Sequence, residues 1–212
     1  MKYKGIIFDL DGVICSTDEY HYLAWKSLAD RLQIPFDRER NNLLRGVSRA
    51  ESLEIILEKA ERIYNETEKA DFAEEKNTLY RELLKKMSPA DLPENVKRTL
   101  ETFRINGLKL AVGSSSKNTP FILERIGLGS FFDAVADGNC ITRSKPDPEV
   151  FLKAAEMIGL KPEECIVVED AHAGVEAAVA GGFDCAAIGD ARDDDRAKWH
   201  LNHFSDLFHC VM

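Results

Sequence analysis

The chain has 212 residues, with 28 Lys plus Arg against 37 Asp plus Glu and a formal net charge of −9. That length suits one large domain, or one domain carrying an insert, and buries roughly 70% of the surface an unfolded chain exposes. The acidic balance excludes a general nucleic-acid binder, which needs a basic face, and an anionic membrane as partner; taken alone it also counts against a small anionic substrate.

In chain order, the first predicted strand is the apolar run Gly5 to Phe8. It is too short for a signal peptide, and Asp9 ends it. From Asp18 to Met87 no strand-like run occurs. In Glu51 to Ile63, the residues Leu53, Ile56, Leu57, Ala60 and Ile63 recur at helical spacing and predict one amphipathic helix. A second, charged helix is predicted over Asp71 to Lys86, ending at Ser88-Pro89. The remainder alternates. Predicted helices cover Glu94 to Arg104, Asn118 to Ile126, Pro148 to Ile158 and Gly174 to Ala180. Predicted strands cover Leu108 to Val112, Phe132 to Ala136, Cys165 to Val168 and Cys185 to Ile188. Apolar strands without alternation, separated by helices, predict a parallel sheet covered on both faces. After Asp190 come Asp193-Asp194-Asp195 and a tail, Trp199 to Met212, expected to add a last short strand and helix. The five cysteines, Cys15, Cys140, Cys165, Cys185 and Cys210, form no Cys-x-x-Cys pair. Their odd number fits reduced thiols better than disulfides or zinc. No stretch approaches the ~20 apolar residues of a bilayer span, so the cytoplasm is the default location.

In open parallel sheets, ligands bind outside the carboxyl ends of the strands. Four such ends carry reactive or phosphate-binding residues. The first is Asp9-Leu10-Asp11-Gly12, which alone is either a site or a turn; no glutamate follows at Ca²⁺-loop spacing. The second is Gly113-Ser114-Ser115-Ser116-Lys117-Asn118, either an anion cradle or a plain helix cap. The third is Lys145, in a loop just before a helix, where a lone lysine is usually solvated. The fourth is Glu169-Asp170, metal ligands or merely a helix start. Together they are more specific. Asp9, Asp11 and Asp170 offer hard oxygen ligands for Mg²⁺. Ser114 and Lys145 offer a donor and a positive charge for a phosphoryl group. A carboxylate can act as nucleophile and form an aspartyl phosphate. A second carboxylate two residues on can serve as general acid and base.

These four motifs, in this order along nearly the whole chain, resemble the haloacid dehalogenase superfamily. Asp11 corresponds to the acid/base kept by its phosphatase and phosphomutase branches. Gly12-Val13-Ile14 with Thr17, His21 and Trp25 resembles the β-phosphoglucomutase family, as do Gly46-Val47-Ser48-Arg49 with Ser52, Lys76-Asn77 and the Ser114–Asn118 run. The resemblance implies a Rossmann-like α/β core over residues 1–14 and 89–212, with an α-helical cap over 15–88.

It implies Mg²⁺ held by Asp9, by the backbone carbonyl of Asp11 and by Asp170, with Glu169 close behind. It assigns Asp9 as nucleophile, Asp11 as acid/base, and Ser114 and Lys145 as holders of the transferring group. Arg49, with Ser116, Lys117 and Asn118, is assigned the distal phosphate. Thr17 is expected to bond Asp11 when the cap is open. His21 and Lys76 are expected to couple cap closure to Asp11. Leu10, Trp25, Gly46, Val47, Ser48, Ser52, Lys76 and Ser115 complete the implied substrate contacts, although Trp25 suits core packing better than sugar stacking.

The implied reaction is the exchange of β-glucose 1-phosphate and glucose 6-phosphate through β-glucose 1,6-bisphosphate. The implied ligands are therefore a hexose phosphate and a hexose bisphosphate, handled by a monomer. A mutase must hold two phosphates and exclude water, which would hydrolyse an aspartyl phosphate. On this reading the net charge ceases to count against an anionic ligand, because Arg49, Lys76, Lys117, Lys145 and Mg²⁺ converge locally. The rivals are a sugar-phosphate phosphatase and a non-catalytic sugar-phosphate binder.

Overall fold

A computed structural model describes residues 2–212. Strand β1 (Gly5–Phe8) is fully buried and leads into four helices: α1 (Asp18–Arg31), α2 (Arg38–Asn42), α3 (Arg49–Leu57) and α4 (Glu66–Leu84). Alternation then begins with α5 (Glu94–Ile105), β2 (Lys109–Gly113), α6 (Thr119–Arg125), β3 (Ala134–Ala136) and α7 (Glu149–Met157). It continues through β4 (Cys165–Glu169), α8 (His172–Ala180), β5 (Asp184–Ala187), β6 (Trp199–His200) and α9 (Leu207–Val211). The six strands form one sheet in the order β3-β2-β1-β4-β5-β6, and every pairing is parallel. The α/β Rossmann-like class expected from the apolar runs is what the chain adopts. The tail supplies its short strand and helix.

The sheet explains the run-on hydrophobicity of its strands. Side chains alternate across a strand, so a sheet covered on both faces needs apolar residues at every position. Ile6, Phe8, Leu110, Val112, Ile166 and Val168 face one hydrophobic cluster. Ile7, Ala111, Val167 and Cys185 face the other. A third cluster, including Trp25, Leu28, Phe36, Leu53, Ile56 and Phe72, lies wholly among the inserted helices. Those helices thus bury an apolar face of their own, while Ala24, Tyr80, Leu84 and Met87 pack into the first cluster.

Two helices have bounds that differ from the sequence reading. Helix α3 begins two residues earlier than Glu51, because Ser48 and Glu51 form a capping box. It ends at Leu57 rather than Ile63. The chain turns there to begin α4, and Ile63 stands 94% exposed in the connection. Helix α4 starts at Glu66, not Asp71, for the same kind of reason: Asn65 and Glu68 cap each other reciprocally.

Candidate active site

The central strands β1, β2 and β4 end side by side and deliver three of the four motifs to one cleft of about 660 Å³, while Lys145 reaches its floor from the loop between β3 and α7. Its wall draws on Asp9, Asp11, Ser114 and Asp170 from the sheet side and on His21, Arg45, Arg49 and Lys76 from the inserted helices. That volume lies within the ~300–1,000 Å³ of small-molecule sites.

At the floor, Lys145 is buried and bonded to two carboxylates. Its Nζ donates to Asp9 Oδ1 at 2.5 Å and also to Glu169 Oε1. Burial alone would lower the lysine's pKa, but Asp9 and Glu169 outweigh it and drive it up. Glu169, grouped with the metal ligands from the sequence, has both oxygens engaged within the protein. Its Oε2 accepts the N–H groups of Asp170 and Ala171, each at 2.9 Å. It holds Lys145 and the start of α8 and leaves Asp170 to face the cleft. Gly174 makes room for it, since a Cβ there would sit 1.9 Å from Glu169 Oε1.

Gly12 shows why the first motif ends in glycine. Its φ is +83°, and an added Cβ would lie 1.9 Å from Asp170 Oδ2. The loop after β1 can therefore approach Asp170 only without a side chain. Burial pushes the Asp9 carboxyl up to about 7, with Lys145 opposing and Glu169 and Asp11 adding to the rise. Burial, then Glu169, Asp9 and Asp11, push Asp170 up to about 9. Asp11 is also raised, chiefly by burial.

Carboxylates this crowded match the chemistry of a hard divalent cation, which would relieve their mutual repulsion. Among the described residues no three acidic, His or Cys side chains form a ready-made metal cluster. The Mg²⁺ set implied by resemblance takes its oxygens from the Asp9 and Asp170 carboxylates and the Asp11 backbone carbonyl, with Glu169 beside them, and Asp9, Asp11, Glu169 and Asp170 all line the cleft. The donors present therefore fit Mg²⁺.

Asp11 is occupied differently. Its Oδ1 accepts the Thr17 N–H at 2.6 Å and its Oδ2 accepts the Thr17 hydroxyl at 2.8 Å. Thr17 in turn accepts the Tyr80 hydroxyl at 3.0 Å. Beside Tyr80, His21 and Lys76 lie 2.9 Å apart, with the His21 ring 4.1 Å from the Tyr80 ring. Lys76 is 2% exposed and sits over the rings of Trp25 and Tyr80. Burial and nearby Arg49 lower its pKa well below the usual lysine value. Burial and Lys76 likewise lower that of His21. Trp25, counted from sequence among the substrate contacts, is 1% exposed. It supports Lys76 and presents only an edge of the wall.

The remaining candidates fall in several places. Ser114 is buried, and its Oγ accepts the Ser116 N–H at 3.2 Å. Ser115 Oγ is buried with no protein partner among the described residues, although its residue lines the cleft. Lys117 is exposed at the wall. Asn118 donates to Asn77 and accepts from Arg81, both at 3.0 Å, so its amide already ties α4 to the sheet loops. Gly46, Val47, Ser48, Arg49 and Ser52 line the cleft from the insert. Leu10 points into the core, which leaves only its backbone for a ligand. Thr17 is 1% exposed and faces Asp11, to which it donates twice.

Sequence reasoning missed Tyr80, Arg45 and Arg81. Tyr80 was findable, because it stands one helical turn after Lys76 and so shares its face.

The family model for haloacid dehalogenase-like hydrolases matches residues 3–182. A β-phosphoglucomutase from Bacillus subtilis is 41% identical over 206 residues, 96% of this chain and 91% of that protein. The chain belongs to the haloacid dehalogenase superfamily, within the β-phosphoglucomutase family. The crystal structure of a Clostridium difficile β-phosphoglucomutase superposes with a TM-score of 0.91 at 35% identity, covering 97% of this chain and 93% of that one. A phosphorylated-carbohydrate phosphatase from Thermotoga maritima is 32% identical over 184 residues, 85% of this chain and 82% of that protein. Superfamily members thus include both mutases and phosphatases, and the likeness to the mutase is the stronger.

Proposed function

We propose that this chain is a Mg²⁺-dependent phosphomutase that interconverts β-glucose 1-phosphate and glucose 6-phosphate through β-glucose 1,6-bisphosphate. The observation that carries this reading is the double hold of Thr17 on Asp11. A phosphatase needs its acid/base ready to activate water. A mutase gains by withdrawing it until sugar arrives, since an aspartyl phosphate must outlast the wait.

Residues 15–88 act as a cap over a core formed by 1–14 and 89–212. Asp9 carries the phosphoryl group in the resting cycle. A sugar hydroxyl attacks that phosphorus as Asp11 removes its proton, and the bond from phosphorus to the Asp9 oxygen breaks. The bisphosphate turns in the cleft and presents its other phosphate. The Asp9 carboxylate attacks it, the bond from phosphorus to the sugar oxygen breaks, and Asp11 returns the proton to that oxygen. Lys145 and Ser114 hold the transferring group by charge and hydrogen bonding. Mg²⁺ held by Asp9, the Asp11 carbonyl and Asp170 supplies further neutralisation of the phosphoryl oxygens. Arg49 suits the distal phosphate, because a guanidinium fork matches two phosphate oxygens. The setting is read as cytoplasmic and the protein as a monomer.

Incubating the protein with Mg²⁺ and β-glucose 1,6-bisphosphate, then mapping phosphorylation by mass spectrometry, tests the reading. A phosphoryl group on Asp9, absent in Asp9→Asn, is the expected result. Inorganic phosphate released at every turnover, with no isomer formed, would overturn it in favour of a phosphatase.

A further inference from the structure

We propose that Arg45 is a positioning residue: an ionic latch that holds the cap against the core through Asp190 and is aimed by Asp18. Arg45 lies in the turn between α2 and α3, four residues before Arg49. Its Nη2 donates to Asp18, the first residue of α1, within the cap. Its Nη1 donates to Asp190 Oδ2 at 2.5 Å, across the cleft in the core. The same Nη1 lies 3.8 Å from Asp170. Asp190 is itself tied to that strand end, since the Ala191 N–H donates to the Asp170 carbonyl at 2.9 Å.

One guanidinium thus meets three carboxylates from three parts of the fold. Its planar fork suits this, because separate N–H groups reach different oxygens without rotating the group. The side chain is 29% exposed, and its Nε is buried with no protein partner among the described residues. Such a conformation needs the carboxylates to hold it.

The far rim is joined by different chemistry. There Ser144 Oγ donates to Glu51 at 2.6 Å, and Asn118 pairs with Asn77 and Arg81. Those are hydrogen bonds with at most one charged partner. Among the described residues, the Arg45 side alone brings opposite full charges together across the opening. Its strength is therefore sensitive to salt, whereas the hydrogen bonds are much less so.

This inference deepens the mutase reading, yet its direct test does not depend on that reading. Small-angle scattering of the ligand-free protein, from about 50 mM to about 500 mM salt, reads cap opening directly. Wild type should expand as salt rises. Arg45→Gln and Asp190→Asn should already be expanded at low salt and respond little to more. The double variant should add nothing to either single one, and Arg45→Lys should fall between. In turnover with Mg²⁺, the ratio of inorganic phosphate to isomer should rise about three- to tenfold in both single variants. Scattering identical to wild type in both single variants at every salt concentration overturns the latch, even where isomer is formed. Wild type that makes no isomer while the variants still open removes the mutase reading and leaves the latch standing.

Discussion

Two lysines are buried in this molecule, and the protein treats them in opposite ways. Lys145, at the strand ends, is 1% exposed and bonded to Asp9 and Glu169, so its charge is matched and its pKa is driven up. Lys76, in the helical insert, is 2% exposed and faces two aromatic rings and an uncharged imidazole, so its pKa is driven down. The first is a finished ion pair that holds the floor of the site. The second is an amine without a carboxylate bonded to it, beside the Tyr80 that bonds Thr17. The contrast teaches that burial alone does not define a catalytic lysine. What surrounds the amine decides whether its charge is matched by carboxylates or disfavoured by burial.

The largest effect should come from Lys145→Ala, which leaves two carboxylates buried without their cation. Breaking a buried pair costs about 3–5 kcal/mol, and losing one donor to the reacting group costs about 10²–10³ in turnover. Denaturant titration and initial rates read both. A stable variant with full activity would show that Lys145 is not the matched charge described.

Lys76→Met should behave in the opposite manner. Isomerisation should fall by up to about 10², the scale of a misplaced catalytic group. Stability should hold or rise, because an isosteric apolar side chain removes a desolvated amine. Loss of stability comparable to Lys145→Ala would erase the contrast.

How much of this contrast the sequence reveals depends on spacing. Lys145 is legible because it falls in order among four strand-end motifs. The same holds for Asp9, Asp11, Ser114 and Asp170, which the parallel sheet gathers as predicted. The inserted helices are less legible. Their charged surfaces hide which of many Lys, Arg and Glu face inward, so Arg45 and Arg81 went unnoticed and Ile63 was given to a helix it does not join. For Glu169 the sequence shows two adjacent carboxylates but not that this one is bonded to Lys145 and to two N–H groups while still lining the cleft. The capping boxes at Ser48 and Asn65 are present in the sequence as Ser-x-x-Glu and Asn-x-x-Glu, and they set where α3 and α4 begin.

Tyr80→Phe probes the Asp11 side more gently. It removes one hydrogen bond to Thr17, worth about 1 kcal/mol, and should loosen the hold on Asp11. Phosphate release relative to isomer should rise a few-fold. An unchanged ratio would separate Tyr80 from the control of Asp11.

The smallest effect is a pH dependence from His21. Its folded pKa is held below the ordinary value of 6.5. As pH falls below that value, the unfolded chain takes up a proton that the folded one refuses. Stability from this group is therefore complete above about pH 6.5 and declines below it. Denaturant midpoints at neutral and mildly acidic pH, wild type against His21→Gln, isolate the contribution. A variant with the same acid sensitivity as wild type would place the cause elsewhere.

The central claim is that the site transfers phosphate within a β-hexose phosphate rather than to water. Phosphorus NMR with separate α- and β-glucose 1-phosphate, Mg²⁺ and a trace of bisphosphate tests it most directly. The account predicts that the β anomer passes through a bisphosphate signal to glucose 6-phosphate, that the α anomer persists, and that inorganic phosphate stays minor. Inorganic phosphate growing steadily from either anomer, without glucose 6-phosphate, would contradict it.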